Sequence, residues 1–422
     1  MKKILGFAFV FCALAFSAEA VTVTDVTASS RFPWKSVLDV DFTIGDAAVA
    51  DLFRVEVAAR YAEGTKKIFA HTYITEPICG RGRNRVSWDA GADYPDIKVQ
   101  DLQIAVTIHP MNADASDVYM VIDLSSGPES TRYPVRYTFT PPPLVPTNDL
   151  IACVSDPCRT TQMWLKRLPG YEFPFGGTTS NNGVGDFTVH LTSYYMAIFE
   201  VTQKQWAQVM GTWPSYFTNE TYRAARPVEN INYEDILGHT RYPENKTPTD
   251  DSFVGRMRAR TGIEAFNLPT EAQWEGACRA GYKKSFNSDF SDSDIRFKFS
   301  STGLTYNEDT SQGTAIVGSY KPNKWGLFDM YGNVMEFCLD AYAPETDLKA
   351  YYAELYGEGN PILNPTGPAT LNATKRYHAV RGGAWFNSDK SYFYNYYRKY
   401  NYSDKYSGLR FNGGGARFVI AP

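Results

Sequence analysis

Residues 381–385 read Arg-Gly-Gly-Ala-Trp, and the stretch that follows consists mainly of Tyr, Ser, Asn, Asp and Phe. These five residue types fill 18 of the 25 positions from 386 to 410, here called the Tyr-rich segment. Its polar pattern has no period of about 2 or 3.6 residues, so it predicts neither a half-buried strand nor an amphipathic helix. The composition is typical of an antibody combining loop, where Tyr supplies contact area and Ser or Asn supplies adaptable hydrogen bonds.

The first twenty residues are typical of a secretory signal. Lys2 and Lys3 supply the charge, residues 4–16 form an apolar core, and Ala18-Glu19-Ala20 is a small-x-small cleavage site. The apolar core is too short to span a bilayer, and a retained anchor is the alternative interpretation. We therefore expect residues 1–20 to be a signal peptide. The mature protein is expected to be exported to a periplasmic, cell-surface or secreted location and not to span the membrane.

Length and charge limit the classes of function. A chain of 422 residues is too long for one hydrophobic core, so two or more domains are expected. The net charge is -4 and the sequence contains no basic run, which argues against nucleic acid as a partner. Aromatic residues make up 15% of the chain, an excess that suits a recognition surface.

The chain divides at a proline-rich run. Residues 21–140 contain short alternating runs separated by turn residues, which predict an immunoglobulin-like or fibronectin-like β-sandwich. Among these runs, 37–42, 53–57, 102–108 and 119–124 are clear. Residues 141–150 begin Pro-Pro-Pro and predict a stiff linker. Residues 151–422 form the second predicted domain, in which Gly, Trp and Tyr are more frequent.

Four phrases follow one another in this second domain. They are Phe-Glu-Val-Thr-Gln-Lys-Gln-Trp at 199–206, Leu-Pro-Thr-Glu-Ala-Gln-Trp-Glu at 268–275, Trp-Gly-Leu-Phe-Asp-Met-Tyr-Gly-Asn-Val-Met-Glu-Phe at 325–337, and Val-Arg-Gly-Gly-Ala-Trp at 380–385, closed by Gly-Ala-Arg-Phe at 415–418. The first predicts a helix to residue 210 with Thr202 as its cap. The second predicts a helix with a capping box formed by Thr270 and Gln273.

In this order the phrases resemble those of the formylglycine-generating enzyme, or sulfatase-modifying factor, family. The resemblance covers residues 153–422 and implies a loop-rich domain of the C-type-lectin-like kind. The fold class that follows is α+β, with an N-terminal all-β sandwich before that domain. Because one fold hosts several activities, the function has to be argued from the site.

The resemblance implies a chemistry that this chain cannot perform in the family's usual way. Family enzymes oxidise a substrate Cys to formylglycine with copper(I) bound by two Cys that follow the Arg-Gly-Gly phrase. The matching positions here are Asn387 and Tyr392, and no Cys follows Cys338. Neither an amide nor a phenol replaces a thiolate as a soft ligand. We therefore expect no copper and no catalytic residue of the usual kind.

The resemblance also implies structural calcium on the third phrase. Carboxylate and carbonyl oxygens are the ligands that calcium prefers. The implied set is the side chains of Asp329 and Glu336 with the carbonyls of Gly332 and Val334. The alternative is that Asp329 caps a turn and that Glu336 pairs with an Arg.

A second calcium site is less complete. It would use Asp309 and the carbonyl of Ser311, but its upstream Asn is not identifiable in this sequence. Arg381 and Arg417, which belong to the closing phrases, are interpreted as partners in internal ion pairs rather than as ligand contacts.

The cysteines outside the signal predict disulfides, because export permits them. Cys153 and Cys158 close a small loop and form the first predicted bridge, and Cys278 and Cys338 form the second candidate. Cys79 is left over, either buried and free or paired between molecules. No Cys-x-x-Cys spacing is present and the His residues are scattered, which argues against a metal site on these thiols.

A further resemblance concerns the Tyr-rich segment. The variable proteins of diversity-generating retroelements carry a hypervariable patch after the same Arg-Gly-Gly-x-Trp phrase, and adenine replacement in Asn-type codons yields Tyr, Ser, Asp, Phe and Asn. An ordinary Tyr-rich loop set is the alternative. In either case we expect an exposed surface for a polypeptide or glycan, lined by Trp385, Asn387, Tyr392, Tyr394, Tyr396, Tyr400 and Tyr402. If the loops need a core of their own, about half of these Tyr are buried instead.

Three hypotheses about function follow from the sequence. The first is an exported, non-catalytic binding protein with calcium as a structural ion. The second is a formylglycine-generating oxidoreductase with an atypical site, which requires Cys278 or Cys338 to be free and near the groove. The third is an envelope-assembly protein in which the N-terminal domain is the active part.

Overall fold

The computed structural model describes most of the chain after the predicted signal. The described ranges are 21–31, 36–48, 51–61, 66–95, 102–111, 118–177, 187–239, 245–282, 290–297, 313–343, 345–358, 361–368, 377–400 and 410–421. The predicted signal peptide, Asp309, Ser311 and Tyr402 lie outside the described residues.

Strands outnumber helices in the described ranges. The strands are β1 (Thr22–Ser30), β2 (Val37–Gly45), β3 (Phe53–Tyr61), β4 (Lys66–Phe69), β5 (Ile78–Cys79), β6 (Gly82–Asp89), β7 (Gln103–Pro110), β8 (Tyr119–Asp123), β9 (Val135–Thr138), β10 (Gln162–Leu168), β11 (Tyr171–Phe175), β12 (Phe187–Leu191), β13 (Tyr194–Ala197), β14 (Phe266–Asn267), β15 (Met335–Ala341), β16 (Ile362–Leu363), β17 (His378–Arg381), β18 (Lys399–Tyr400), β19 (Gly414–Gly415) and β20 (Val419–Ile420). The α-helices are α1 (Ala90–Asp93), α2 (Leu150–Cys153), α3 (Pro157–Thr160), α4 (Gln203–Met210), α5 (Tyr233–Leu237), α6 (Phe253–Thr261), α7 (Glu271–Arg279) and α8 (Glu345–Glu358), with 3-10 turns at Arg223–Ala225, Asp292–Asp294 and Lys390–Phe393.

The two helices predicted from their first residues are confirmed. Thr202 caps α4, and its hydroxyl accepts from the Gln205 N–H at 3.2 Å while the Gln205 side chain accepts from the Thr202 N–H at 3.1 Å. Thr270 and Gln273 form the same capping box at the start of α7. Each box satisfies N–H groups that a helix start leaves without a partner, so the local sequence sets where both helices begin.

One long sheet runs through the molecule in the order β1-β2-β6-β9-β8-β10-β13-β20-β14. Its middle strands are buried on both faces. On β8, Met120 and Ile122 pack on the side of Trp206 of α4, whereas Tyr119 and Val121 pack on the side of Trp274 of α7. Alternate residues of a strand point to opposite faces, so this single strand contributes to both hydrophobic clusters. We call them the α4-side core and the α7-side core.

The proline-rich run does not separate the sheets, contrary to the predicted division at residues 141–150. Strand β8 was assigned to the N-terminal domain, but its residues 119–123 pair antiparallel with 162–166 of β10. Strand β9, which ends at Thr138, pairs with β8 in turn. Strands that are distant in sequence can pair within one sheet. The stiff proline run between β9 and β10 separates them along the chain but does not prevent β8 from pairing with β10.

Strands predominate in the described residues before 111, which also contain the short helix α1. Strands β1, β2 and β6 form one end of the long sheet, and β3 pairs with β4, β5 and β7 in a separate sheet. Side chains from both sheets meet in a third hydrophobic cluster that includes Phe42, Val57, Trp88 and Val106. An immunoglobulin-like or fibronectin-like strand arrangement stays a prediction for this part.

Two shorter sheets position the functional region. Strands β11, β12 and β16 form one of them, and the other has the order β18-β17-β15-β19. The second sheet places the end of β17 beside β15, with Arg381 opposite Glu336. Among the helices in the described ranges, none is both long enough and apolar enough to cross a bilayer.

A truncation tests the continuity of the sheet. A chain beginning at residue 141 lacks β8 and β9 and with them the buried side chains of Met120, Ile122 and Tyr137. Removing one large core side chain costs about 2–5 kcal/mol, so the loss of three approaches the whole stability of a domain. We expect this chain to show no cooperative thermal unfolding by circular dichroism, whereas a chain beginning at residue 112 keeps it. If the chain beginning at residue 141 unfolded at the same midpoint temperature as the full-length chain, the prediction that β8 and β9 belong to a shared core would be contradicted.

Candidate functional site

Two left-handed glycines turn the chain at the end of β17. Gly382 has a φ of 92° and Gly383 a φ of 73°, a region that side chains disfavour. After the turn, the Trp385 N–H donates to the carbonyl of Asn333 at 2.9 Å. The carbonyl of Gly382 accepts from the Gly332 N–H at 2.8 Å. The third and fourth phrases, distant in sequence, are therefore joined through their backbones.

Arg381 connects helix α7 to the Tyr-rich segment. Its guanidinium is buried, with Nη2 at 2.8 Å from Oε2 of Glu275 and Nε at 3.2 Å from Oε2 of Glu271. Nη1 donates to the carbonyls of Asn395 at 3.2 Å and Tyr397 at 3.0 Å. The interpretation of Arg381 as an internal ion-pair partner is thus confirmed. One side chain fixes the helix, the strand and two loop carbonyls relative to each other.

Further arginines complete a buried group that we call the α7 ion cluster: Glu271, Glu275, Arg279, Arg381 and Arg398. Arg398 donates to both oxygens of Glu271, at 2.6 and 2.5 Å, and Arg279 donates to Glu275 at 2.9 Å. Burial alone would raise the pKa of Glu271, but Arg398 and Arg381 oppose it, so that this pKa lies below its ordinary value. Bidentate contacts between buried ions are strong and directional.

Asp340 on β15 lies beside this cluster. Its Oδ2 accepts from the Glu271 N–H at 2.9 Å, and its Oδ1 is buried without a hydrogen-bond partner. Burial, followed by repulsion from Glu271, raises the pKa of Asp340 to about 8. The carboxyl group is therefore protonated at neutral pH, which avoids a third buried negative charge.

A second buried ion pair lies under the third phrase. Arg417 donates to both carboxylate oxygens of Glu336, with the closest contact at 2.7 Å. The indole N–H of Trp274 donates to Oε2 of Glu336 at 2.7 Å. The interpretation of Arg417 as an ion-pair partner is confirmed. Asp329 accepts from the Gly318 N–H at 2.7 Å, while its Oδ1 is buried without a hydrogen-bond partner.

This arrangement bears on the predicted calcium at Asp329, Glu336 and the carbonyls of Gly332 and Val334. Both oxygens of Glu336 already accept from protein donors, which is the alternative that the sequence left open. Within the described ranges no group of three or more His, Cys, Asp or Glu is placed to hold a metal ion. The contacts of Glu336 are those of the alternative, and calcium at this set stays a prediction. The second set, Asp309 and Ser311, lies outside the described residues.

Glu200 is a site residue that sequence reasoning missed. It is fully buried in the first phrase, and it accepts from the Asn333 side-chain amide at 2.7 Å and from the Val334 N–H at 3.0 Å. Burial, with repulsion from Asp329 and Glu336, raises its pKa well above the ordinary value. In the sequence Glu200 is a single acidic residue between two apolar neighbours. Because this pattern also fits an exposed side chain, it does not predict that Glu200 is buried.

Three of the residues predicted to line an exposed surface are buried instead. Trp385, Asn387 and Tyr396 are 8%, 6% and 2% exposed, so the prediction is wrong for them. The Trp385 indole donates to the carbonyl of Asn412 at 2.8 Å, and the Asn387 amide oxygen accepts from the Ala384 N–H at 2.7 Å. A domain whose short strands are joined by long loops uses aromatic rings and amides to fill its interior and to pair its buried polar groups, which explains the difference.

The other predicted residues lie nearer the surface. Tyr392 and Tyr394 are half-buried, and the Tyr392 ring lies 4.8 Å from that of Tyr397, centroid to centroid. The backbone of Tyr400 pairs with Ala379, and Tyr402 lies outside the described residues. Within the described ranges, the exposed residues of the segment are 388–390, which read Ser-Asp-Lys, and Arg410.

The two predicted disulfides are absent, and all five Cys in the described ranges are buried free thiols. The Cys153 sulfur lies 3.6 Å from the carbonyl oxygen of Pro146, whereas Cys158 packs into the α7-side core. The Cys278 sulfur is directed at the carbonyl of Met330, at 3.8 Å. Sequence spacing alone does not fix the direction of a Cβ–Sγ bond, so the pairings could not be deduced from it.

These thiols are poorly suited to chemistry. Burial raises the pKa of Cys278 to about 12 and raises that of Cys338 well above its ordinary value. Thiolates, not thiols, act as nucleophiles and metal ligands. Cys278 and Cys338 are free thiols, as an atypical oxidoreductase would need. Their buried environment, however, keeps both thiols protonated. Cys79 is buried as well, as one of its two alternatives predicted.

The geometry defines a loop-rich α+β domain whose four ordered phrases meet around buried ion pairs. A family profile described as the sulfatase-modifying factor enzyme 1-like domain matches residues 157–421. Since the match covers more than half of the chain, the protein belongs to this family. The resemblance inferred from the four phrases is thereby confirmed.

Individual relatives match smaller parts of the chain. The chaperone protein LppX of Paenibacillus barcinonensis is 32% identical over 201 residues, which are 40% of this chain and 70% of that protein. The formylglycine-generating enzyme of Streptomyces coelicolor is 35% identical over 180 residues, 40% of this chain and 45% of the enzyme. The chain thus matches less than half of the length of that enzyme.

Solved structures to which this chain is similar include variable protein 1 of Treponema denticola and PvdO from Pseudomonas aeruginosa. The first is 23% identical, with a TM-score of 0.45, covering 62% of this chain and 96% of its own. The second is 18% identical, with a TM-score of 0.45, covering 62% of this chain and 95% of its own.

A substitution tests how much the α7 ion cluster contributes to the free energy of unfolding. In Arg381→Met, Glu275 and Glu271 each lose a buried positive partner, and removal of one partner of a buried pair costs about 3–5 kcal/mol. As a control, Arg410→Met breaks the partly exposed pair with Asp235, for which at most about 1 kcal/mol is expected. Urea unfolding at neutral pH measures both. Equal losses for the two variants would show that burial does not determine the effect.

The raised pKa of Asp340 predicts a pH dependence of stability. The folded-state pKa is about 8 and the ordinary value is 3.8, so the folded protein binds an additional proton between these pH values. The stabilisation is complete below the ordinary pKa and is lost as the pH rises through about 8. We expect the unfolding free energy of the native chain to fall more steeply across this window than that of Asp340→Asn. The exposed control Asp250→Asn should follow the native slope, and an unchanged slope in Asp340→Asn would contradict the assignment.

Proposed function

We propose that this chain is an exported binding protein that uses a sulfatase-modifying factor domain to recognise a polypeptide or glycan and performs no formylglycine chemistry. The supporting observation is what occupies the two positions matched to the family's copper ligands. Asn387 is buried and its amide oxygen accepts from the Ala384 N–H, so it supports the turn. Tyr392 is a half-buried phenol. Neither group is a soft, redox-active ligand.

The recognition surface proposed here is the exposed run at 388–390 with the accessible edges of Tyr392 and Tyr394. Its base is fixed, because Arg381 binds two carbonyls of the segment and Arg398 binds helix α7. A surface that is ordered before binding loses less entropy when a ligand arrives. Tyr contributes amphipathic contact area, and Ser or Asp contributes orienting hydrogen bonds.

Polypeptide is the class of ligand that the comparisons favour. The relative from Paenibacillus barcinonensis, 32% identical over 201 residues, is named as a chaperone protein. A chaperone acts on other polypeptide chains. By analogy with this relative, we propose that the domain of this chain recognises a polypeptide. The N-terminal β-rich part is proposed to present the recognition domain, and export is proposed from the signal-like residues 1–20.

A second candidate is an oxidoreductase that generates formylglycine by an atypical site. It is favoured by the relatedness to formylglycine-generating enzymes, at 35% identity over 180 residues in one case. It would have to use Cys278 or Cys338, which are free but buried. A substrate thiol would need a local opening of the α7-side core to reach them, since both lie within that cluster.

Oxygen uptake separates the two candidates. The purified chain is incubated with copper(I), a reductant and a Cys-containing sulfatase peptide, and oxygen consumption and peptide mass are followed. We expect no turnover above the copper blank and no loss of mass from the peptide Cys, because a soft ligand pair is missing. A family enzyme that keeps its Cys pair serves as the positive control. Sustained conversion of the peptide Cys that is abolished by Cys278→Ser or Cys338→Ser would replace the binding proposal with the oxidoreductase.

A further inference from the structure

The loop that follows α4 leaves two aromatic rings on the surface. Trp213 is 37% exposed and Tyr216 is 66% exposed, while Phe217 directly after them is buried. Single exposed apolar side chains are common, but a cluster of large rings on one short loop is typical of an interaction site.

The backbone of this loop is held by polar side chains from beneath. The Gln203 amide donates to the carbonyl of Phe217 at 3.0 Å, and Glu229 accepts from the Phe217 N–H at 3.0 Å. The Asn230 amide donates to the carbonyl of Pro214 at 2.8 Å. Gln203 and Glu229 are buried. The exposed rings are therefore presented by an ordered loop, which reduces the entropy lost on binding.

Two cations lie beside the indole of Trp213. The guanidinium carbon of Arg223 is 4.4 Å from the ring centroid, and Nζ of Lys204 is 6.0 Å from it. Because these groups lie over the ring, less of its face is open for stacking on a sugar. The patch instead offers positive charge next to apolar surface, a combination that suits carboxylates with neighbouring apolar groups.

A carboxylate of the chain itself already occupies part of this position. Glu220 lies 3.8 Å from Arg223, but its side chain is 86% exposed. An exposed pair of this kind contributes little to stability, since solvent and salt screen it. A carboxylate from a ligand can therefore replace Glu220 at low cost.

The loop is packed against the start of the Tyr-rich segment. Ring centroids are 5.3 Å apart between Tyr216 and Phe217, 5.4 Å between Phe217 and Trp385, and 5.4 Å between Trp385 and Phe386. All three contacts are edge-to-face, a favourable geometry for aromatic pairs. The loop and the start of the Tyr-rich segment, which leads into the proposed recognition surface, are thus joined by one series of rings.

We propose that residues 213–216, with Lys204 and Arg223, form a contact surface for an acidic segment of a polypeptide ligand. The Tyr216 ring covers an apolar or aromatic side chain of that segment, while Arg223 and Lys204 pair with its carboxylates. The inference rests on the proposed function, because it specifies the ligand of the binding protein proposed above.

Fluorescence anisotropy with defined probes tests the inference on the full chain. The probes are a labelled peptide with the repeat Glu-Tyr-Asp-Leu, the same peptide with Ser in place of each acidic residue, and a labelled oligogalacturonate. We expect the acidic peptide to bind more tightly than the Ser peptide, with an affinity that falls as salt is added. Tyr216→Ala and Arg223→Gln should each weaken acidic-peptide binding about tenfold, and Arg223→Gln should also reduce its salt dependence.

Matched controls are available on other surfaces. Tyr356→Ala removes a ring that is 37% exposed from α8, and Arg60→Gln removes an exposed cation from β3; neither should change binding. Thermal unfolding confirms that all variants are folded. Retention of acidic-peptide binding in Tyr216→Ala and Arg223→Gln, with loss in Tyr394→Ala, overturns the inference and leaves the binding function in place. The inference is also overturned if the native chain prefers oligogalacturonate or does not bind the acidic peptide. Failure of the proposed binding function is a separate result, which the oxygen-uptake experiment detects as turnover.

Discussion

Glu271 and Glu275 lie one turn apart on α7 and are both removed from water, so each needs a positive partner at short range. The partners Arg381 and Arg398 come from β17 and from the Tyr-rich segment, which are distant in sequence. In a domain whose strands are mostly short, these charged contacts add to what the hydrogen-bonded ladders hold together. The position of the segment relative to the helix depends on them.

This construction separates what fixes the segment from what the segment displays. The fixing groups, Arg381 and Arg398, are buried and point inward, whereas the run at 388–390 is exposed and has no part in the ion cluster. Substitutions on the exposed run leave the buried contacts intact. Under the proposed function, the same separation lets Asn387 and Tyr392 stand at the positions matched to the family's redox ligands without loss of the fold. Asn387 now supports the turn with its amide, and Tyr392 packs against neighbouring rings.

The sequence predicted those features that depend on local chemistry. Capping boxes located the starts of α4 and α7, because their hydrogen bonds are made within three residues. Arg381 and Arg417 were assigned to internal ion pairs, since loops without a ladder need such contacts. The four ordered phrases located the family domain.

Features that depend on direction or on distant partners were not predictable in this way. Composition shows that Tyr and Trp are amphipathic, but not which side they face, so Trp385 and Tyr396 were expected at the surface and are buried. The spacing of Cys153 and Cys158 suggested a bridge, but the two side chains have different surroundings. The pairing of β8 with β10 crosses a proline-rich run that marks a domain boundary in many other chains.

That pairing changes how the N-terminal part is understood. A module on a stiff linker would leave the recognition domain free to reorient, but here one sheet continues from β1 to β14. Contacts beside the sheet strengthen the connection, since Arg83 donates to the carbonyls of Thr131 at 3.1 Å and Arg260 at 3.2 Å. Gly82 approaches α6 so closely that a Cβ would lie 2.7 Å from the side chain of Ile263. Whatever holds the N-terminal strands therefore also sets the direction in which the proposed recognition surface faces.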